Sequence, residues 1–161
     1  GEWKFAIDIG NQNDKPLVNE KPLQYKNDSS AKERLIKGLS HNKPNELITL
    51  DKQLVDISER IGTVETYKKF MIEGSKILRD GIYPVVVIQQ IIEYSRNIES
   101  KMNFKPVGGK LSFSKDFGFT YGELVMINTD NKLNERFNYM HIFKKEGKRW
   151  VIVVEVLSKI D

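Results

Sequence analysis

Tyr121, Tyr139, His141 and Glu155, all in the second half of this 161-residue sequence, have the makings of an acid–base site. In the stretch "RFNYMHIFKK" a period of two places Phe137, Tyr139, His141 and Phe143 on one face. The stretch "GKRWVIVVEVLS" is apolar on both faces except for Glu155. Such a strand is covered on both sides, and a lone carboxylate there is costly unless it is paired or protonated. In a catalytic reading, Glu155 is a base whose pKa is raised by burial, and His141 or a tyrosine donates a hydrogen bond to a developing oxyanion. Tyr121, Tyr139, Phe119 and Trp150 would then line an apolar pocket. In a structural reading, His141 is satisfied by a neighbour, the aromatics are core, and Glu155 sits near the sheet's end or pairs with a Lys or Arg. The structural reading is favoured, because burial and pairing perturb carboxylates without any catalysis.

Other chemistries find little support. There are no cysteines, which excludes disulfides and thiolate metal sites. The two histidines, His41 in a loop and His141 in a strand, lack the spacing of a metal site. Gly108-Gly109 lies between strands with no helix after it, so it marks a bend or bulge and no phosphate cradle. No cofactor and no metal are expected.

The elements that must position these residues follow from periodicity. "NKPNELITLDKQLVDISERIG" predicts a helix over Asn45–Ile61, with Leu47, Leu50, Leu54, Ile57 and Ile61 at helical spacing and Gly62 at its end. Thr63 caps a second helix, Thr63–Ile72, closed by Gly74. "SKILRDGIYPVVV" reads as two short strands about an Asp-Gly turn, and Val87–Asn97 as a third helix. From Met102 to Ser158 the pattern is strand throughout, in four runs joined by polar turns. In "FGFTYGELVMI", Phe117, Phe119, Tyr121, Glu123, Val125 and Ile127 share a face. Upstream, two prolines mark the stretch from Asn11 to Ser30 as a loop, and a short helix is expected from Ser30 to Leu39. Helices followed by a meander indicate an α+β domain.

This order, with "ITLDKQLVDISERIGTVETYKKFM", "ILRDGIYPVVVIQQII", "FKPVGGKLSFSKDFGFTYG", "YMHIFKK" and "GKRWVIVVEV", resembles the SnoaL-like branch of the nuclear transport factor 2-like superfamily. The resemblance spans Asn45 to Ser158, and its most telling piece is "KDFGFTYG". It implies a strongly curved antiparallel sheet wrapped around about three helices, a cone-shaped barrel of cystatin-like fold. Function in that superfamily ranges over isomerases, dehydratases, cyclases and non-catalytic modules, so fold alone does not decide it. Members with acid–base chemistry place an Asp near the end of the second helix, where this chain has Gly74 and Ser75, and the turn Gly after "PVV" is Val87 here. Both departures weaken an enzymatic reading.

Relatives also end in a Trp-containing strand that runs into Asp-hydrophobic-Gly-Asn, which "WKFAIDIGN" near the start matches. Residues 1–44 are therefore expected to hold a strand, either the last one of an upstream copy or an added edge strand, then a linker and a short helix, ahead of a cone domain over 45–161. A start at Gly1 without Met suits a processed or trimmed chain, and tandem copies suit an exported protein. The 26 basic and 22 acidic residues leave a net charge of +4 spread along the chain. "FKKEGKR" reads as a solvated hairpin tip, so no nucleic-acid partner is expected. No stretch approaches the ~20 apolar residues of a membrane span, and no membrane partner is expected. The sequence thus points to a domain that binds a small hydrophobic ligand and dimerises through its sheet. The rivals are a cofactor-independent isomerase or hydrolyase acting on a hydrophobic polycyclic or polyketide-like substrate, and a structural or protein-interaction module.

Overall fold

The structure, a computed structural model, describes residues 9–11, 46–96, 98, 100–128 and 134–160. The expected short helix at Ser30–Leu39, the loop beyond Asn11 and most of the opening strand lie outside the described residues.

Helix α1 spans Glu46–Phe70 and buries Leu47, Asp51 and Leu54, then Thr66, Tyr67 and Phe70. The change of spacing reflects a kink at Gly62, whose φ of 83° and ψ of 160° are not helical. Only Gly adopts such a backbone without a Cβ clash, so the two expected helices are two arms of one bent rod. Thr66 Oγ1 donates 2.8 Å back to the Gly62 carbonyl, tying the second arm to the break. Glu46 in the first turn and Lys68 and Lys69 in the last complement the helix dipole.

The second arm stops at Phe70, two residues before the expected end, and β1 (Met71–Arg79) begins at once. The Ile72 N–H donates to the Ser75 hydroxyl at 2.9 Å, and that hydroxyl donates to the Ile152 carbonyl at 2.8 Å. Gly74, at φ 84°, sits within a bulge of the strand. Asp80-Gly81 turns the chain into β2 (Ile82–Val85), and α2 (Ile88–Arg96) buries Ile91 and Ser95. The four strands that follow are β3 (Ser100–Leu111), β4 (Phe117–Asn128), β5 (Asn134–Glu146) and β6 (Arg149–Lys159).

The sheet order is β2-β1-β6-β5-β4-β3. From β3 to β6 every pairing is antiparallel, as expected. β1 adds to β6 in parallel, so the six-stranded sheet is mixed, and β2 and β3 remain as its edges. The resulting α+β fold has a curved sheet that does not close into a barrel. Bulges interrupt the ladders at Pro106/Gly108 and Ile142/Phe143, where they sharpen bending. Two apolar clusters fill the concavity, one around Leu47, Phe70, Ile77 and Phe143, the other around Met102, Phe104, Leu124 and Leu157. At the start of the described chain, Asn11 donates to Asp80 and to the Leu157 carbonyl.

Candidate functional site

Between the two apolar clusters lies a chain of buried polar groups. On β5, His141 stands between Tyr139 and Phe143, with ring centroids 5.0 and 5.8 Å away, and Phe104 of β3 lies 4.9 Å from it. Alternation puts all of these on the inner face, and register sets His141 directly opposite Glu155 of β6. The imidazole Nε2 is 2.7 Å from Glu155 Oε2, and Nδ1 is 2.7 Å from Asp51 Oδ1. Tyr139 donates 2.6 Å to the other Asp51 oxygen. Glu155 Oε1 accepts from the Tyr67 hydroxyl at 2.6 Å and from Arg79 of β1. Arg79 also reaches the Tyr67 oxygen at 3.3 Å and the Leu78 carbonyl at 3.0 Å.

This geometry fixes the protons. A ring nitrogen facing a carboxylate must carry hydrogen, and both nitrogens of His141 face carboxylates, so the ring is an imidazolium. Burial by itself would lower its pKa, but the charge and hydrogen bonds of Asp51, followed by those of Glu155, raise it to about 9. Burial likewise pushes Glu155 upward, yet the Arg79 guanidinium and then His141 outweigh it and hold the carboxyl at about 2. The expectation of a base with a raised pKa is corrected here: desolvation acts on Glu155, but three donors converge on the carboxylate and reverse its effect. Tyr67 and Tyr139 are pushed up, first by burial and then by the neighbouring carboxylate, so both remain proton donors. Arg79 is raised as well, with burial opposing Glu155 and Tyr67.

Charges therefore alternate along the line Asp51, His141, Glu155, Arg79, and the formal sum is zero. The two carboxylates lie on opposite nitrogens of one ring and do not converge on a common point that a cation could occupy. Above this floor is a cavity of ≈ 10 Å³, with room for about one water. Leu54, Met102, Phe104 and Ile152 form its apolar walls, and Ser58, Thr63 and Thr66 lie on either side of the α1 kink. His141, Glu155 and Tyr67 form its polar side. Ser58 and Thr66 spend their hydroxyl protons on the Val55 and Gly62 carbonyls. Thr120, opposite His141 in register, is fully buried with its hydroxyl unpartnered among the described residues.

Of the residues singled out by sequence, Tyr139, His141 and Glu155 come together. Tyr121 and Phe119 do not join them: Thr120 is the β4 residue that shares the inner face, so its two neighbours point to the outer one. Period two showed which β4 residues share a face but not which face is buried. Trp150 packs at the margin of the first cluster with Lys145 5.2 Å above its ring, and it does not line the cavity. Asp51, Tyr67 and Arg79 were missed. Asp51 carried a signal, an acid at helical spacing between Leu47 and Leu54 in an otherwise apolar stripe. Arg79 carried a weaker one, a period-two partner of Ser75 and Ile77 on the buried side of a short strand.

No protein-family model matches the sequence, and no curated protein matches it significantly. Solved structures do. A putative calcium/calmodulin-dependent protein kinase II association domain from Xanthomonas campestris superposes with a TM-score of 0.62 at 15% identity, covering 74% of this chain and 89% of that one. An NTF2-like protein from Cytophaga hutchinsonii gives 0.56 at 11% identity over 73% and 100% of the two chains. A ketosteroid isomerase-like protein from Erwinia carotovora atroseptica gives 0.53 at 12% identity over 73% and 99%. At these identities the likeness is one of architecture, and this chain has the NTF2-like, cystatin-like fold that its sequence resemblance implies.

Proposed function

We propose that this chain is a small-molecule-binding domain and does not catalyse acid–base chemistry. One observation carries the reading: the cavity beneath the α1 kink has apolar walls and a polar side on which every proton donor is already engaged. A general base works best with a pKa near the operating pH. Glu155, near 2 with three donors on it, is a poor proton acceptor at neutrality, and the imidazolium of His141 has no N–H left to offer. That leaves apolar contact and shape as the means of recognition, which suits a small, largely apolar guest. A cavity of ≈ 10 Å³ must widen to admit anything larger than water, and the break at Gly62 lets the α1 arms part without stretching helical hydrogen bonds. The Erwinia neighbour is described as ketosteroid isomerase-like, and at 12% identity that description lends nothing to these particular residues.

The test is an NMR titration of the labelled full chain with a panel of small apolar molecules. Resonance shifts should centre on Leu54, Thr63, Phe104 and Ile152, with the molecules recovered unchanged. Shifts confined to other regions, or turnover abolished by His141→Gln, would remove the proposal.

A second, compatible role is pairing with another copy through the sheet. Phe117 and Tyr121 are exposed on the outer face, where Phe119, Met140 and Ile142 are only half-buried. Exposed apolar groups gathered on one face mark an interaction surface. The Xanthomonas neighbour is itself described as an association domain. Light scattering of the purified chain decides between one copy and two.

A further inference from the structure

We infer that the end of the fold carrying the β3–β4 and β5–β6 turns is a docking surface for an anionic lipid membrane. Register brings the two turns together: Phe117 at the start of β4 pairs with Lys144 at the end of β5, and the Lys145 N–H donates 2.7 Å to the Asp116 carbonyl. Arg149, at the start of β6, reaches the Lys69 carbonyl at the end of α1. One end of the molecule thus gathers Lys69, Lys115, Lys144, Lys145, Lys148 and Arg149. Glu146 engages Lys144 at 2.6 Å and Glu46 lies 3.8 Å from Lys145, while Asp116 is taken up by Ser112 and Ser114 of its own turn. Among the described residues, Lys69, Lys115, Lys148 and Arg149 have no carboxylate partner. "FKKEGKR" is an exposed hairpin tip, as its sequence reads, and the fold adds Lys69 and Lys115 to it from other elements.

Amid these cations stands Phe113, 87% exposed, with Phe117 at 47% nearby. Phe113 is not on a loose loop. Ser112 Oγ donates to Asp116 at 3.1 Å, the Phe117 N–H donates to Ser112 Oγ at 3.2 Å, and the Lys115 N–H donates to the Ser112 carbonyl at 3.1 Å. A turn braced in this way, with Lys115 held at φ 57°, presents an aromatic ring to solvent at no gain to the fold. A ring that enters the lipid interface while lysines meet anionic headgroups has the chemistry of a peripheral membrane contact. Single-stranded nucleic acid calls for aromatics spaced along a basic groove as successive stacking platforms, and this end offers one tip. The contact would be superficial, since no helix among the described residues is long and apolar enough to cross a membrane.

The experiment is co-sedimentation of the full chain with vesicles of phosphatidylcholine alone and of phosphatidylcholine mixed with phosphatidylserine, with circular dichroism as the check on folding. Binding should need phosphatidylserine and weaken as salt is raised. The double substitution Lys115→Gln/Lys148→Gln should weaken it roughly 25-fold, about fivefold per lysine. Phe113→Ser should weaken it about tenfold through lost burial. Equal partitioning to both vesicles, no binding to either, or folded variants that bind as the parent does would each overturn the inference. Tighter binding to a single-stranded oligonucleotide than to the anionic vesicles at the same salt would overturn it too.

Discussion

Replacing Glu155 by Gln keeps the size of the side chain and removes the charge on which Tyr67, Arg79 and His141 converge. The variant retains one carbonyl oxygen, while its amide group places two N–H bonds where the parent had only acceptors. While His141 stays an imidazolium, at least one of the three donors then faces another donor. Arg79, 5% exposed, cannot turn to water for compensation, and its Nε is already without a partner among the described residues. Removing one member of a buried ion pair costs about 3–5 kcal/mol, mostly as the burden of the charge left behind. At roughly 2–4 °C per kcal/mol for a domain of this size, the melting temperature should drop by roughly 6–20 °C. Urea titration followed by tryptophan fluorescence gives the free energy directly. The double variant Arg79→Met/Glu155→Gln supplies the control: with the orphaned cation gone, it should be more stable than the two single losses add up to. A loss below about 1 kcal/mol, the range of a solvated surface pair, would refute the argument. Strict additivity in the double variant would refute it equally.

Stability should also trace the two titrations. Glu155 is near 2 in the fold against an ordinary 4.5, so its contribution is complete above pH 4.5 and fades as pH falls toward 2. His141 is near 9 against an ordinary 6.5, so its contribution is complete below pH 6.5 and fades as pH rises toward 9. Urea midpoints should therefore peak between pH 4.5 and 6.5 and lose about 3 kcal/mol of stability on the alkaline side; a flat profile from 6.5 to 9 would deny the imidazolium. Tyr139→Phe keeps the ring but leaves an Asp51 oxygen unpaired, and should cost about 1.5–3 kcal/mol by the same titration. Tyr121→Glu, on the outer face, should leave the melting temperature unchanged and abolish the proposed pairing of two copies in light scattering. Deleting residues 1–30 removes the Asn11 bonds to Asp80 and Leu157; the remainder should stay folded by circular dichroism at a cost of about 1 kcal/mol.

Periodicity carried far in the sheet because alternation there is local. Each of the four strands from Met102 to Ser158 could be drawn from its own residues, and the turns at Asp80-Gly81 and Gly147-Lys148 announce themselves by glycine. The parallel seam between β1 and β6 was not legible. It depends on where a strand lands after a bent helix, which no local pattern encodes. The end of the second helical arm failed for a related reason: Met71 and Ile72 continue the helical spacing, but their backbone is claimed by β6 through Ser75. At the site, Tyr139, His141 and Glu155 could be grouped because they lie on adjoining strands. Asp51 and Tyr67 lie on the helix, and which helical residue meets which strand residue is settled only by packing. The misplacement of Tyr121 and Phe119 was a choice between two faces that alternation leaves degenerate.

An interior that spends four formal charges on one line needs a reason, because well-packed apolar residues of similar volume are often as stabilising or more so. Position supplies one. Asp51 belongs to the first arm of α1 and Tyr67 to the second, while Arg79, His141 and Glu155 come from β1, β5 and β6. Apolar contacts tolerate sliding by a fraction of a residue; hydrogen bonds of 2.6–2.7 Å do not. The break at Gly62 removes the helical bonds that would otherwise fix one arm against the other, and the network restores that constraint through the sheet. The angle between the arms, and with it the width of the cavity beneath the kink, is then set by six side chains, Tyr139 of β5 included. Loosening Asp51 from both His141 and Tyr139 should free the first arm while the second stays anchored at Glu155. The gate of the proposed binding site then lies in those two contacts.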